Sequence, residues 1–232
     1  PPRSTLSSSS AASDVYKRQQ SHCTYLEMLK EPKLSWINGQ PFSDEYQDIY
    51  FSPDAASEVE RIFINPTNFD VVSREKPQTT ILELGFGAGL NFCVTAQRFL
   101  DHKTKNRLHF ISFEKHPFSK KDYAKTFANL DPVIPFSSNL IDQVPALLPG
   151  WHRRSFFEGR INLSIFYGEA KEGLRDLTIR HRVPIDFCFL DGFNPNKNPE
   201  VWSEELLLEI TKNLRTDSQI TTFSAAARVR RT

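Results

Sequence analysis

Short, almost wholly apolar runs alternate along this chain with longer stretches of helical spacing. Thr79–Leu84 (TTILEL), Leu108–Phe113 (LHFISF), Ile161–Tyr167 (INLSIFY), Pro184–Leu190 (PIDFCFL) and Gln219–Ser224 (QITTFS) read as five short strands. Runs of this length, with little polar alternation, suit strands covered on both faces. Between them, helical patterns cover the segment from Leu90 (LNFCVTAQRFL), Ser119–Asn129, Lys171–Leu177 and Pro199–Asn213, the last with Trp202, Leu206 and Ile210 inward. Strand alternating with helix predicts a doubly wound parallel α/β sheet. Leu130–Arg160 is Pro-rich and shows no period that assigns it.

A smaller unit precedes the sheet. Leu34–Tyr50 reads as a hairpin, because Asn38-Gly39 is a strong turn dipeptide between apolar residues. A helix then starts, with Ser52 as N-cap, Pro53 at the first helical position and Asp54 in the first turn. Val59, Ile62 and Phe63 form its inner face, and Asn65-Pro66 stops it. Tyr50 and Phe51 suit either plain packing or one wall of a ligand site. The expected organisation is residues 1–19 apart, 20–66 as an N-terminal addition, and 67–232 as the sheet domain.

The first strand runs into Gly85-Phe86-Gly87-Ala88-Gly89 and then a helix N-terminus, the opening βα unit of a nucleotide-binding sheet. A dinucleotide fingerprint needs G-x-G-x-x-G/A, but here the third glycine comes one residue early and Leu90 holds the sixth place. Glu83 stands just before the first glycine. Beside a pyrophosphate it would be repelled, since like charges ~4 Å apart cost about 4 kcal/mol at an effective dielectric of 20. It suits a ligand with an ammonium group and a sulfonium, and S-adenosylmethionine carries both with no phosphate.

The other strands also end in acids. Glu114 follows the second strand, at a separation where an acid meets ribose hydroxyls in nucleotide folds. Glu169 lies two residues past the third and could accept from an adenine amino group. Asp191 ends the fourth. In open α/β sheets all four converge at the carboxyl edge, a negative site for a cationic cofactor and a cationic amine. Asp191 opens the loop LDGFNPNKNPEVW, in which Gly192 permits close backbone approach, Phe193 can stack on a base, and Pro195 and Pro199 stiffen the chain. An acid there can orient an amine lone pair and help remove a proton. Its ordinary pKa of ~3.9 makes an orienting role the safer one.

Composition narrows this further. The chain has 232 residues, enough for one α/β domain with a full core, and 19 are Phe. No apolar run is long enough to span a membrane. Cys23, Cys93 and Cys188 are far apart and form no C-x-x-C, so reduced thiols in a cytoplasmic protein and no metal site are expected. Residues 1–19 are Ser-rich and aperiodic, and Ser9–Gln19 resembles the translation of a DNA-library adapter. They are expected to be disordered and foreign to the native protein, and they lack the apolar core of a secretory signal. Without Arg3, Asp14, Lys17 and Arg18 the formal charge falls from +1 to −1, so bulk charge does not point to nucleic acid.

YQDIYFS (46–52), LELGFGAGLNF (82–92), HFISFEKHP (109–117), FLDGFNPNKNPEVW (189–202) and TTFSAAARVRR (221–231) together resemble the methyltransferase domain of the MnmC family of bacterial tRNA wobble-uridine modification enzymes. The resemblance implies a Rossmann-like class I methyltransferase sheet. It implies methyl transfer from S-adenosylmethionine to the amine of 5-aminomethyl-(2-thio)uridine in the anticodon arm of tRNA. Mapped onto this sequence, the cofactor-binding residues are Glu83, Gly85, Phe86, Gly87, Gly89, Asn91, Glu114, Lys115, Glu169 and Ala170. Asp191 is catalytic. The substrate-binding residues are Phe193, Pro195, Lys197, Asn198, Arg228 and Arg230. Longer family members carry an FAD-dependent oxidase domain, of which this sequence shows nothing. The family also continues through two more strands, so a truncated C-terminal end with an unpaired strand edge is expected. Arg153, Arg154, Arg228, Arg230 and Arg231 suit either phosphate contact or plain solvation. Rival readings are a small-molecule methyltransferase, a non-catalytic cofactor binder and, least compatible with Glu83, a nicotinamide oxidoreductase.

Overall fold

The computed structural model of the chain describes residues 29–128, 130, 134–180 and 183–223. Expectations for residues 1–19, Cys23, Arg228, Arg230 and Arg231 lie outside these. The N-terminal hairpin forms β1 (Leu34–Ile37) and β2 (Gln40–Ser43), and β3 (Asp48–Ile49) adds a third antiparallel strand. Asn38 and Gly39 take φ of 50° and 81°, the left-handed pair that a two-residue hairpin turn needs. α1 (Ala55–Val59) follows and runs on as a π-helical turn over Glu60–Ile64. Its N-cap is Asp54, so Ser52 and Pro53 lie in the turn before the helix rather than capping it. α2 (Phe69–Glu75) then leads into the sheet.

The sheet unit consists of β4 (Gln78–Leu84), α3 (Leu90–Asp101), β5 (Arg107–Glu114), α4 (Lys120–Phe127), α5 (Ser137–Asp142), β6 (Gly150–Phe156), β7 (Ile161–Tyr167), α6 (Ala170–Arg180), β8 (Ile185–Leu190), α7 (Glu204–Thr211) and β9 (Leu214–Thr222). The strand order is β6-β7-β5-β4-β8-β9. β7, β5, β4, β8 and β9 are parallel, and β6 closes one edge antiparallel to β7. The chain builds outward from β4 in one direction and returns to build in the other from β8. The crevice between β4 and β8 is therefore the topological switch point, where such sheets bind ligands. β8 is buried throughout and β4 from its second residue on, as the apolar runs require. One face packs on α1 to α5 through Phe63, Phe69, Phe92, Phe99, Tyr123 and Phe136. The other packs on α6 and α7 through Leu174, Leu177, Leu206 and Ile210.

Three assignments change. The stretch from Leu130 to Arg160 contains α5 and the edge strand β6, whose Arg153-Arg154 pair and partial exposure hide a strand pattern. The helix expected from Pro199 begins at Glu204, because the Ser203 hydroxyl caps it by accepting from the Leu206 N–H, and Trp202 is buried in the turn before it. β9 starts at Leu214, five residues early. Its polar first half was unreadable as strand because it bulges, with the Ser218 hydroxyl donating to the Ile185 carbonyl.

A half-buried pair, a buried Asp186 with a partly exposed Lys76, ties the amino ends of β8 and β4 together. Asp186 accepts from Lys76 Nζ at 2.5 Å and from the Thr80 N–H at 2.9 Å. Asp186→Ala leaves a backbone donor and an ammonium without their partner. It is expected to cost about 3 kcal/mol in a denaturant titration, and a loss below ~0.5 kcal/mol would contradict this role.

Candidate functional site

A large cleft of about 900 Å³ opens at the carboxyl ends of β4, β5, β7 and β8. Its floor is the glycine turn. Leu84 pairs with Leu190, so Gly85 and Asp191 leave the sheet side by side. Gly85 has φ of 81°, and a Cβ there would lie 3.1 Å from the Asp191 carbonyl oxygen. Gly87, with φ of 50°, faces the Tyr50 ring, which a Cβ would meet at 3.3 Å. The turn is pinned by the Phe86 N–H, which donates to the Phe113 carbonyl, and by the Gly87 N–H, which donates to Glu114 at 2.7 Å.

Glu114 lies at the lip of β5. One carboxylate oxygen accepts from Gly87 N–H and the other from His116 N–H at 2.7 Å. Burial raises its pKa, and these backbone bonds pull it back in part. The Lys115 backbone bonds to the same carboxylate, which still has acceptor capacity left for a diol. Lys115 and Glu169 line the same end and pair at 2.7 Å, with Glu200 of the loop after β8 at 3.7 Å from the same ammonium. Ala170 lines it as well, as do Phe86 and Asn91.

Asp191 accepts from Asn91 Nδ2 and from the Gly192 N–H, both at 2.8 Å. Burial pushes its pKa up to about 6, with the charge of Glu58 adding to the rise and the two hydrogen bonds opposing it. Asp191 is thus a stronger base than its ordinary value suggests. Phe193 stacks on Tyr46 (centroids 4.7 Å, 25°) and meets Tyr50 edge-on at 5.0 Å. Tyr50 in turn meets Phe118 edge-on, so it both packs and lines the cleft. Pro195 and Asn198 also line it.

Three residues are placed differently from expectation. Gly89 does not line the cleft; with φ of 73° it packs the turn, and a Cβ there would meet Leu140 and the Phe86 ring. Glu83 is fully buried beneath the glycine turn and does not line the cleft. It accepts from the Ser112 hydroxyl at 2.6 Å and also bonds Asn91. Burial holds its pKa well above the carboxylate range. Asn91 bridges it to Asp191. Lys197 is also outside the lining, held by Asp48 at 3.4 Å and by the Gln47 carbonyl. It fastens the loop to the hairpin.

The sequence reading passed over Tyr46, Asp48, Glu58, His116, Glu200 and Glu205, all of which line the cleft. Glu58 left a readable signal, an acid in the apolar stripe Ala55, Val59, Ile62, Phe63. In all, seven carboxyls line the cleft against two lysines, and both lysines are already paired, Lys115 with Glu169 and Lys171 with Glu205. That balance fits a cationic, phosphate-free ligand such as S-adenosylmethionine, and the side-chain-free floor at Gly85 and Gly87 gives it room. Among the described residues no group of three or more His, Cys, Asp or Glu could hold a metal ion, and no helix is long and apolar enough to cross a membrane.

The chain is similar to known proteins along most of its length. A family model described as S-adenosyl-L-methionine-dependent methyltransferase matches residues 132–232. The tRNA 5-methylaminomethyl-2-thiouridine biosynthesis bifunctional protein MnmC of Pseudoalteromonas translucida is 36% identical over 219 residues, covering 88% of this chain and 33% of that protein. The protein of the same name from Aeromonas salmonicida is 38% identical over 213 residues, covering 88% of this chain and 32% of its own. The chain therefore spans about a third of the length of these relatives. The crystal structure of MNMC2 from Aquifex aeolicus superposes with a TM-score of 0.68 at 21% identity, over 97% of this chain and 70% of that one, and shares the fold.

Asp191 carries a stability cost that can be measured. Its folded pKa of about 6 lies above the ~3.9 of an unfolded chain. The folded state therefore holds the proton more tightly, and stability falls as pH rises from ~4 to ~6, to a full cost of about 3 kcal/mol above that window. Asp191→Asn removes the titration but gives up part of the acceptor pair. It is expected to be more stable than the parent by about 1–2 kcal/mol near pH 7.5, with the gain shrinking toward pH 5. A less stable variant at pH 7.5 would contradict the assignment.

Proposed function

We propose that this chain, similar over 88% of its length to MnmC proteins and matched in its C-terminal part by an S-adenosyl-L-methionine-dependent methyltransferase family, is a methyltransferase of that type and methylates the amine of 5-aminomethyl-(2-thio)uridine at the wobble position of tRNA, in the cytoplasm. The observation that carries this reading is Asp191. Its carboxylate is fixed by Asn91 and Gly192 N–H at the lip of the acidic cleft, directly beside the glycine turn. When bound, S-adenosylmethionine supplies an electrophilic methyl group on a sulfonium.

The chain's own residues divide the rest of the work. Gly85, Phe86 and Gly87 form the floor that holds the cofactor closely, and Gly89 serves it one step removed by letting the turn pack against Leu140 and Phe86. Glu114 accepts from the ribose hydroxyls, and Lys115, Glu169 and Ala170 border the base. Asn91 holds Asp191 in one orientation and links it to Glu83. Asp191 accepts a hydrogen bond from the substrate amine, aims its lone pair at the methyl carbon, and with a pKa of about 6 can take the ammonium proton. Phe193 and Pro195, with Tyr46 and Tyr50, offer apolar and aromatic surface for an extruded base, and Asn198 adds a polar amide beside it. Lys197 acts one step removed, holding that loop against the hairpin.

Methyl transfer from labelled S-adenosylmethionine is expected to tRNA bearing 5-aminomethyluridine and not to unmodified tRNA. Equal label in both would contradict the amine as acceptor. Asp191→Asn is expected to bind S-adenosylhomocysteine as the parent does while kcat falls ~10²–10⁴-fold. Unchanged turnover would remove Asp191 from the mechanism.

A further inference from the structure

The inner face of α1 is apolar at Ala55, Val59, Ile62 and Phe63, and all four line the cleft. Glu58 interrupts that stripe. It lines the same cleft as Asp191, and its charge acts on the Asp191 carboxyl. Its side chain is 23% exposed. Among the described residues its one ion pair is to Arg61 at 3.6 Å, on a side chain that is 73% exposed. A solvent-exposed pair at this helical spacing contributes a few tenths of a kcal/mol, too little to account for an acid on the buried stripe of a helix.

The carboxyls at the cofactor end are occupied. Glu114 accepts two backbone N–H groups, Glu169 holds Lys115, and Glu205 holds Lys171. Glu58 and Asp191 differ, because among the described residues neither has a lysine or a buried arginine against it. Two carboxylates sharing a cleft repel each other, and a cation placed between them relieves the repulsion and gains two charge-assisted contacts. An alkylamine arrives as such a cation, since its pKa is near the ~10.4 of lysine.

We infer that Glu58 is the second carboxylate of the substrate end, the group that receives the protonated amine and selects for it over an uncharged base, while Asp191 orients the same nitrogen for attack. This rests on the amine-methylation reading above and adds its specificity determinant. The N-terminal addition thereby completes the acceptor site through α1. Glu58 takes no part in bond making, so its loss is felt in amine binding more than in the chemical step.

The test compares two anticodon stem-loops, one with 5-aminomethyluridine and one with uridine at the wobble position, bound to the chain saturated with S-adenosylhomocysteine. The parent is expected to prefer the amine-bearing loop. Glu58→Gln is expected to lose ~10-fold of that preference, the size of one charge-assisted contact. It should keep the parent's affinity for S-adenosylhomocysteine and raise KM for aminomethyl tRNA more than it lowers kcat. Arg61→Ala should leave the preference intact, and Glu58→Asp should retain part of it. A Glu58→Gln chain with the parent's preference, or an Arg61→Ala chain that loses it equally, overturns the assignment. A parent that shows no preference for the amine overturns the amine reading itself, and Glu58's role with it. That failure appears in the parent, whereas failure of the Glu58 claim alone appears only in the variants.

Discussion

The close passage of Gly85 under the Asp191 carbonyl is the contact on which the site depends. At 3.1 Å from an added Cβ, with φ of 81°, the position admits no side chain without displacing the strand end. β4 and β8 can then run in register to their last residues, Leu84 against Leu190, and deliver the glycine turn and Asp191 to one point. The strand order makes that point the switch in the sheet, so the crevice opens there, between β4 and β8. The hairpin and α1 cover the crevice from above, fastened to the loop after β8 by Phe193 on Tyr46 and Tyr50 and by Lys197 on Asp48.

Charge organises the same crevice in depth. Glu83 lies at the bottom, where burial favours its protonated form, and Asn91 joins it to Asp191 above. Asp191 sits at an intermediate level and is raised to about 6. Glu58 lies nearer the solvent. The carboxyls thus range from a buried structural acid to a half-open one that can meet a cation. The arrangement costs stability at neutral pH, as sites held ready for a charged ligand commonly do.

Much of this was legible in the sequence. Apolar runs located β4, β5, β7 and β8, because a strand covered by helices has little alternative to being apolar. Asn38-Gly39 marked the hairpin, and the glycine spacing separated a phosphate-free cofactor from a dinucleotide. Edge elements were harder to read. β6 and the first half of β9 are half solvated, so Arg153, Arg154 and Asp217 leave no period to find. The depth of an acid was also hidden. Glu83 and Glu114 both end strands, yet one points beneath the turn and the other into the cleft, a difference set by the pleat and by Ser112 on the neighbouring strand. Glu58 and Tyr46 belong to the cleft only because α1 and the hairpin fold over it, a long-range fact that local pattern does not contain.

The central claim is that this acidic crevice holds a sulfonium cofactor rather than a phosphate-bearing one. Calorimetric titration of the chain with S-adenosylhomocysteine and with NADH tests it most directly. The account predicts saturable binding of S-adenosylhomocysteine that Gly85→Val abolishes, and no binding of NADH. Binding of NADH, or S-adenosylhomocysteine binding that survives Gly85→Val unchanged, would contradict it.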